Sequence, residues 1–201
     1  MKIGTKSILY GIHCPPIHYI FTLWAWIKLY GIKLELLDPR LHFCILLHDI
    51  GYWQKETLDG ADGMFHPCLC AQWAGILFGE RWYWFCLLHS GKMVDHVNKN
   101  RTREMLEPLR DPSKLYYADK LSSALYPRWL YRLLSGWSGE WVEYCIDHLE
   151  KKTPIDKGSI RYHDEIVWYQ LNESNRYHFY VFETWHKEAM EHMKRRAYDT
   201  T

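Results

Sequence analysis

Charge of one sign is scarce in this chain of 201 residues: 25 Lys+Arg face 24 Asp+Glu, for a formal net charge of +1. Binding driven by phosphate neutralisation needs a basic excess. A long nucleic acid is therefore not an expected partner, although a local basic pocket stays open. Long apolar runs are also missing, since none reaches the roughly 18–20 residues that cross a bilayer. Residues 17–29 come nearest, and Lys28 interrupts them. Met1-Lys2-Ile3-Gly4 lacks the apolar region and small-residue cleavage site of a secretory signal. No membrane role is expected. There is no glycine-rich phosphate loop, internal repeat or low-complexity tract. The six cysteines (14, 44, 68, 70, 86 and 145) are dispersed. That suits reduced thiols in the cytoplasm, not a disulfide framework. Cys68-x-Cys70 has no second Cys pair at zinc-site spacing.

Aromatics (11 Trp, 15 Tyr and 7 Phe) and 12 His are abundant. The length suits one core-forming domain, or a domain with a tail. Helical periodicity dominates, so the expected class is all-α. Residues 18–30 form a helix stopped by Gly31. Asp38-Pro39 opens a second, running to about Ile50 and ending at Gly51. Residues 54–65 read as a loop, 66–78 and 81–89 as helices, and 91–100 as irregular. A short helix is expected over 101–109. Asp111-Pro112 then opens a long helix through Asp119 toward Leu134, kinked at Pro127. A turn at 136–139 and a helix over 140–151 complete a domain of residues 1–152. Residues 153–201 are expected to be an extension packing on it. They hold a connector (153–159), a hairpin or helix (160–180) and an amphipathic helix (182–197).

The sharpest local feature is Leu46-Leu47-His48-Asp49-Ile50-Gly51, a His-Asp pair closing an apolar helical run. Burying an imidazole and a carboxylate there is costly unless something compensates. A divalent metal does so, and this donor pair suits Zn, Fe, Mn or Co. Surface exposure of the helix end is the bland alternative. His18 lies 30 residues earlier, at the start of the preceding helix, and two antiparallel helices bring those points together. His13 is its rival, although a helix starting after Pro15-Pro16 favours His18. Asp119, in Ala118-Asp119-Lys120-Leu121, is another carboxylate inside an apolar run.

The order His18, His48-Asp49, Asp119, with the wording around it, resembles the signature of the HD-domain superfamily of metal-dependent phosphohydrolases. The likeness covers about residues 10–135. His66-Pro67 and His89 extend it to the binuclear pattern. Ser90 stands where many cyclic-dinucleotide phosphodiesterases of the family carry another His, and Tyr52 where a Lys is frequent. The resemblance implies an HD-like helical bundle. It implies one metal on His18, His48, Asp49 and Asp119, and a second on Asp49, His66 and His89, with Asp49 bridging. In that reading His48, Asp49 and Lys92 are the catalytic set, and a metal-activated water attacks phosphorus. The bland reading makes His66 a neighbour of a helix N-cap and His89 a C-terminal cap.

A phosphate substrate, such as a nucleotide or another small phosphorylated metabolite, needs cations. Lys92, Lys120, Arg101 and Arg103 are the candidates, with solvated surface charge as the alternative. His163-Asp164 lacks a preceding apolar helix and is a decoy; His42, His178, His186 and His192 are peripheral. Trp82-Tyr83-Trp84-Phe85 reads as core, and the aromatics around Tyr126 wall a pocket or simply pack. Some HD-superfamily members with the same ligand set are di-iron oxygenases that cleave C–C or C–P bonds. That is the alternative function, and a non-catalytic nucleotide-binding module is the third. Residues 153–201 either cover the site or form a homodimer surface.

Overall fold

The structure is a computed structural model that describes residues 1–58, 60–100, 111–140 and 143. Among the described residues it is all-α, with no strand. The helices are α1 (Ile3–Tyr10), α2 (Pro15–Tyr30), α3 (Pro39–Leu47), α4 (Pro67–Phe78), α5 (Glu80–Leu87), α6 (Gly91–Lys99), α7 (Lys114–Leu125) and α8 (Arg128–Ser138). Tight 3-10 turns lie at Leu34–Leu37, Ile50–Tyr52 and Gly63–Phe65. None of these helices is long and apolar enough to cross a membrane.

Prolines and glycines punctuate the chain as expected. Pro15-Pro16, Pro39 and Pro67 open α2, α3 and α4. Each supplies the preset φ of a first helical turn, where its missing N–H costs nothing. Asp38 caps α3 by accepting from the Arg40 N–H at 2.9 Å. Gly79 (φ 91°) sits between α4 and α5, a backbone conformation closed to most side chains.

Five expectations need correction. α3 ends at Leu47, not near Ile50, so His48 and Asp49 stand beyond its last turn. Residues 91–99 form helix α6. Their polarity hid a single apolar face, on which Met93 and Val94 are buried and Val97 packs against the core. Ser113, not Asp111, stands at the N-cap of α7. Pro127 separates α7 from α8 instead of kinking one long helix: Tyr126 and Pro127 are extended (ψ 138° and 134°). A proline forces that conformation on the residue before it. The expected turn at 136–139 is the last turn of α8, closed by Gly139 at φ 85°. Helix α1 is an addition to the expected elements. The helices expected over 101–109 and 140–151 and the whole extension lie outside, or almost outside, the described residues.

Two apolar clusters set the frame. Ala25, Trp26 and Leu29 of α2 pack on Ile45 of α3 and on Leu115, Ala118 and Leu121 of α7. Cys44 meets Cys70, Ala71 and Ala74 of α4 and Cys86 of α5 in the second. Alanine at facing positions lets helix axes approach closely, and small side chains bury without rotamer cost. Between these clusters the helix ends converge.

Candidate metal centre

Four helix ends and the middle of a fifth helix contribute. The first turn of α2 supplies His18, the exit of α3 supplies His48 and Asp49, and the residue before α4 is His66. The chain just past α5 supplies His89, and α7 supplies Asp119. All six side chains are buried. They form two groups that could each hold a metal ion: His18, His48, Asp49 and Asp119; and Asp49, His66 and His89.

Asp49 belongs to both groups. Its Oδ2 lies 3.0 Å from His48 Nε2 and 3.3 Å from His18 Nε2. Its Oδ1 lies 3.3 Å from His66 Nε2 and 3.5 Å from His89 Nε2. Asp119 Oδ1 closes the first group, 3.0 Å from His18 Nε2 and 3.4 Å from His48 Nε2. Gly51 makes room for this approach, because a Cβ there would collide with the His66 carbonyl.

The placement of ring protons decides what the cluster is for. His48 Nδ1 faces the Ile45 carbonyl at 2.9 Å, His66 Nδ1 the Gly63 carbonyl at 2.8 Å, and His89 Nδ1 the Cys86 carbonyl. A carbonyl only accepts, so each Nδ1 carries the proton. His18 Nδ1 lies 3.3 Å from the Tyr126 hydroxyl, which itself donates to the Ile12 carbonyl at 2.9 Å. That nitrogen is therefore a donor too. In neutral imidazoles all four Nε2 lone pairs then point inward, 3.0 Å apart for His66 and His89 and 3.3 Å for His18 and His48. Facing lone pairs repel unless a cation lies between them. Asp49 Oδ2, although close to two rings, has no hydrogen bond of adequate geometry. An imidazole held by its outer N–H, with carboxylates beside it, is the usual surrounding of a bound metal. The donor set fits a divalent ion of the Zn, Fe, Mn or Co kind.

The titration behaviour agrees with a concentrated charge centre. Burial pushes both carboxyls up, but His48 and His13 around Asp49, and Lys120 and His18 around Asp119, hold them well below the ordinary range. Burial pulls His48 down, and Asp49 and Asp119 outweigh it, so its pKa lies well above the ordinary value. The rings of His66 and His89 are pushed down, first by burial and then by neighbouring charge. In the metal-free cluster a proton on His48 Nε2 thus stands in for the cation.

A supporting layer was not legible in the sequence. Glu140, fully buried just past α8, accepts from the Ile12 N–H and the Ser138 hydroxyl, both at 2.9 Å. Its Oε2 lies 3.4 Å from His13 Nδ1, and His13 Nε2 lies 3.9 Å from Asp49 Oδ2. Burial opposes charge on His13, but Asp49 and Glu140 outweigh it and raise its pKa to about 9. His13 is thus a neighbour of the cluster and not a member; His18 holds that place. Tyr52 stacks on His66, with ring centres 3.9 Å apart and planes 17° apart.

The expected substrate cations are only partly placed. Lys120 Nζ lies 3.4 Å from Asp119 Oδ2 and is half-exposed. Lys92 stands in the first turn of α6, three residues past His89. Arg101 and Arg103 lie outside the described residues, as do His163, His178, His186 and His192. His42 bonds Tyr19 and the Leu36 carbonyl, each at 2.7 Å, and is peripheral as expected. Cys70 turns into the core, 3.4 Å from the Cys86 sulfur, and no cysteine joins a metal-type group among the described residues.

Fold and site together define a class: an all-α protein whose helix ends close on a buried His/Asp cluster able to hold metal. No protein-family model, curated protein or solved structure matches the chain. The class therefore rests on the geometry alone.

Proposed function

We propose that the protein is a metal-dependent phosphohydrolase acting on a nucleotide or another small phosphorylated metabolite. The observation that carries the reading is the carboxylate of Asp49, shared by two groups of buried imidazoles whose Nε2 lone pairs all point inward. In this reading His18, His48, Asp49 and Asp119 hold one ion, and Asp49, His66 and His89 a second. Bound metal would supply a water of lowered pKa and neutralise charge on phosphoryl oxygens. The chain's own groups do the rest. The carbonyls of Ile45, Gly63 and Cys86 hold three rings in the binding tautomer. The Ser7 hydroxyl, 2.7 Å from His13 Nδ1, and the Glu140 carboxylate, 3.4 Å from it, hold the His13 ring, which would offer a proton at Nε2 beside Asp49 to a departing oxygen. Lys120, beside Asp119, and Lys92, in the first turn of α6, are the cations this reading assigns to a phosphate. The net charge of +1 suits a small anion better than a polymer.

Full-length protein of known metal content, screened anaerobically, tests the reading. The panel holds nucleoside mono-, di- and triphosphates, dinucleoside polyphosphates and cyclic nucleotides. Hydrolysis with Mn, Co or Fe, abolished by Asp49→Ala, is expected. Absence of hydrolysis by metal-loaded protein refutes it. Oxygen uptake with a mixed-valent di-iron signal would establish the oxygenase chemistry of the alternative instead.

A further inference from the structure

Helix α8 is apolar on two sides. Tyr131, Leu134, Ser135 and Ser138 form its buried face, toward Ile12 and Tyr126. On the other side, Trp129, Leu133 and Trp137 follow one another at i, i+4 and i+8, with relative exposures of 67%, 36% and 62%. At 100° per residue these three lie within an 80° arc, well away from the buried face. They form a stripe about 12 Å long. Two tryptophans and a leucine in a row on one helix face mark a covered surface, since contiguous apolar patches on a free surface are uncommon.

The chain itself indicates the cover. Just past the C-terminal end of α8, three residues beyond Trp137, Glu140 is pinned by the Ile12 N–H at 2.9 Å. Residues 144–201 follow from that fixed point. Within them Phe182, Trp185, Ala189 and Met193 recur at helical spacing, while Lys187, Glu188, Glu191, Lys194 and Arg195 occupy the opposite side of the same pattern. The sequence thus offers an apolar stripe about 16 Å long, enough to span the one on α8, on the same chain. Tethering gives such a segment an effective concentration in the millimolar range. A second copy or another protein at ordinary concentrations competes poorly with that. We propose that the Trp129–Leu133–Trp137 face of α8 is the seat of the chain's own extension, through residues 182–197.

Photo-crosslinking in the full-length protein tests this. Benzoylphenylalanine in place of Leu133, irradiated and mapped by mass spectrometry, is expected to link within one chain to peptides from 182–197. Links between two chains, links only to other parts of the chain, or no link would overturn the proposal. A double-mutant cycle gives a second readout. Trp137→Ala and the triple replacement Phe182→Ser, Trp185→Ser, Met193→Ser should each lower the thermal midpoint, and together by clearly less than the sum. Additive shifts would overturn it. Neither readout uses catalysis or metal, so this proposal and the phosphohydrolase reading fail separately.

Discussion

Asp49→Asn is the most demanding perturbation of the site, because the side chain keeps its shape and loses only its charge and one acceptor oxygen. In the structure Oδ2 faces His18 and His48 at 3.3 and 3.0 Å, and Oδ1 faces His66 and His89 at 3.3 and 3.5 Å. The group that faces the new amide nitrogen loses a donor outright, and the group that faces the remaining oxygen keeps only a neutral donor in place of a charged one. Losing a partner that only orients a metal ligand costs about 10–100-fold in affinity or activity. Losing a ligand that carries charge should cost at least the upper end, about 100-fold, or roughly 2.7 kcal/mol at each group. Because one residue serves both, the loss appears in the stoichiometry. Asp119→Asn should empty the first group and His66→Ala the second, whereas Asp49→Asn empties both. Metal content after dialysis against a weak chelator reads this directly, with far-ultraviolet circular dichroism to show the helices intact. Turnover should vanish with the metal. If Asp49→Asn retains the metal content of the unaltered protein, the shared-carboxylate argument is wrong.

Other outcomes follow from the same geometry. Metal uptake near pH 7 should release protons, since the raised pKa of His48 leaves that ring protonated in the metal-free state; calorimetry in two buffers of different ionisation enthalpy detects it, and identical heats would refute it. The raised pKa also stabilises the metal-free fold, fully so below the ordinary histidine value, and that contribution is lost as pH rises through the shifted one. Asp49 and Asp119 act with the opposite sign, their contribution being present above the ordinary aspartate value and lost as pH falls toward their depressed ones; metal-free thermal midpoints should therefore fall toward both acid and alkaline pH. Tyr126→Phe removes the acceptor of His18 Nδ1 and should weaken metal binding about tenfold or more with the fold retained; unchanged affinity would show that the hydroxyl does not fix the ring. In Glu140→Gln the His13 resonance should titrate clearly below about 9, and an unmoved titration by NMR would exclude Glu140 as its partner. His163→Ala should leave metal content and turnover unchanged, and a loss of either would mean that the second His-Asp pair belongs to the centre.

The parts of the site that could be read from sequence are those with chemically unusual side chains in apolar runs. His48, Asp49 and Asp119 are costly to bury without a cation, so their company gave them away. Glu140 is just as buried but follows Ser138-Gly139, where an acidic residue is unremarkable. Its partner Ile12 lies 128 positions away and contributes only a backbone N–H, which any residue other than proline offers. Tyr126 is hidden in the same way, because it meets the Ile12 carbonyl and the far nitrogen of a histidine ring. Helix α6 was missed for a different reason: its apolar face is only Met93, Val94 and Val97, too few to outweigh the polar residues between them.

One local device links the helix boundaries to the chemistry. His48, His66 and His89 each direct Nδ1 at the carbonyl three residues before, that of Ile45, Gly63 and Cys86. Where a helix or 3-10 turn stops, such a carbonyl is released from the N–H four residues on; the Ile45 carbonyl then serves the ring, and those of Gly63 and Cys86 accept both the ring and the backbone N–H of the same histidine. His48 follows Leu47, the last residue of α3; His66 follows the turn Gly63–Phe65; His89 lies two residues past the end of α5. The early end of α3 is therefore a requirement of the site. Had the helix run through Ile50, the Ile45 carbonyl would have been engaged by the Asp49 N–H and less available to the ring. Helix termination and ring tautomer are one structural event here. It fixes where the Nε2 lone pairs point before any metal arrives, and the ordering cost is met by folding and not by binding.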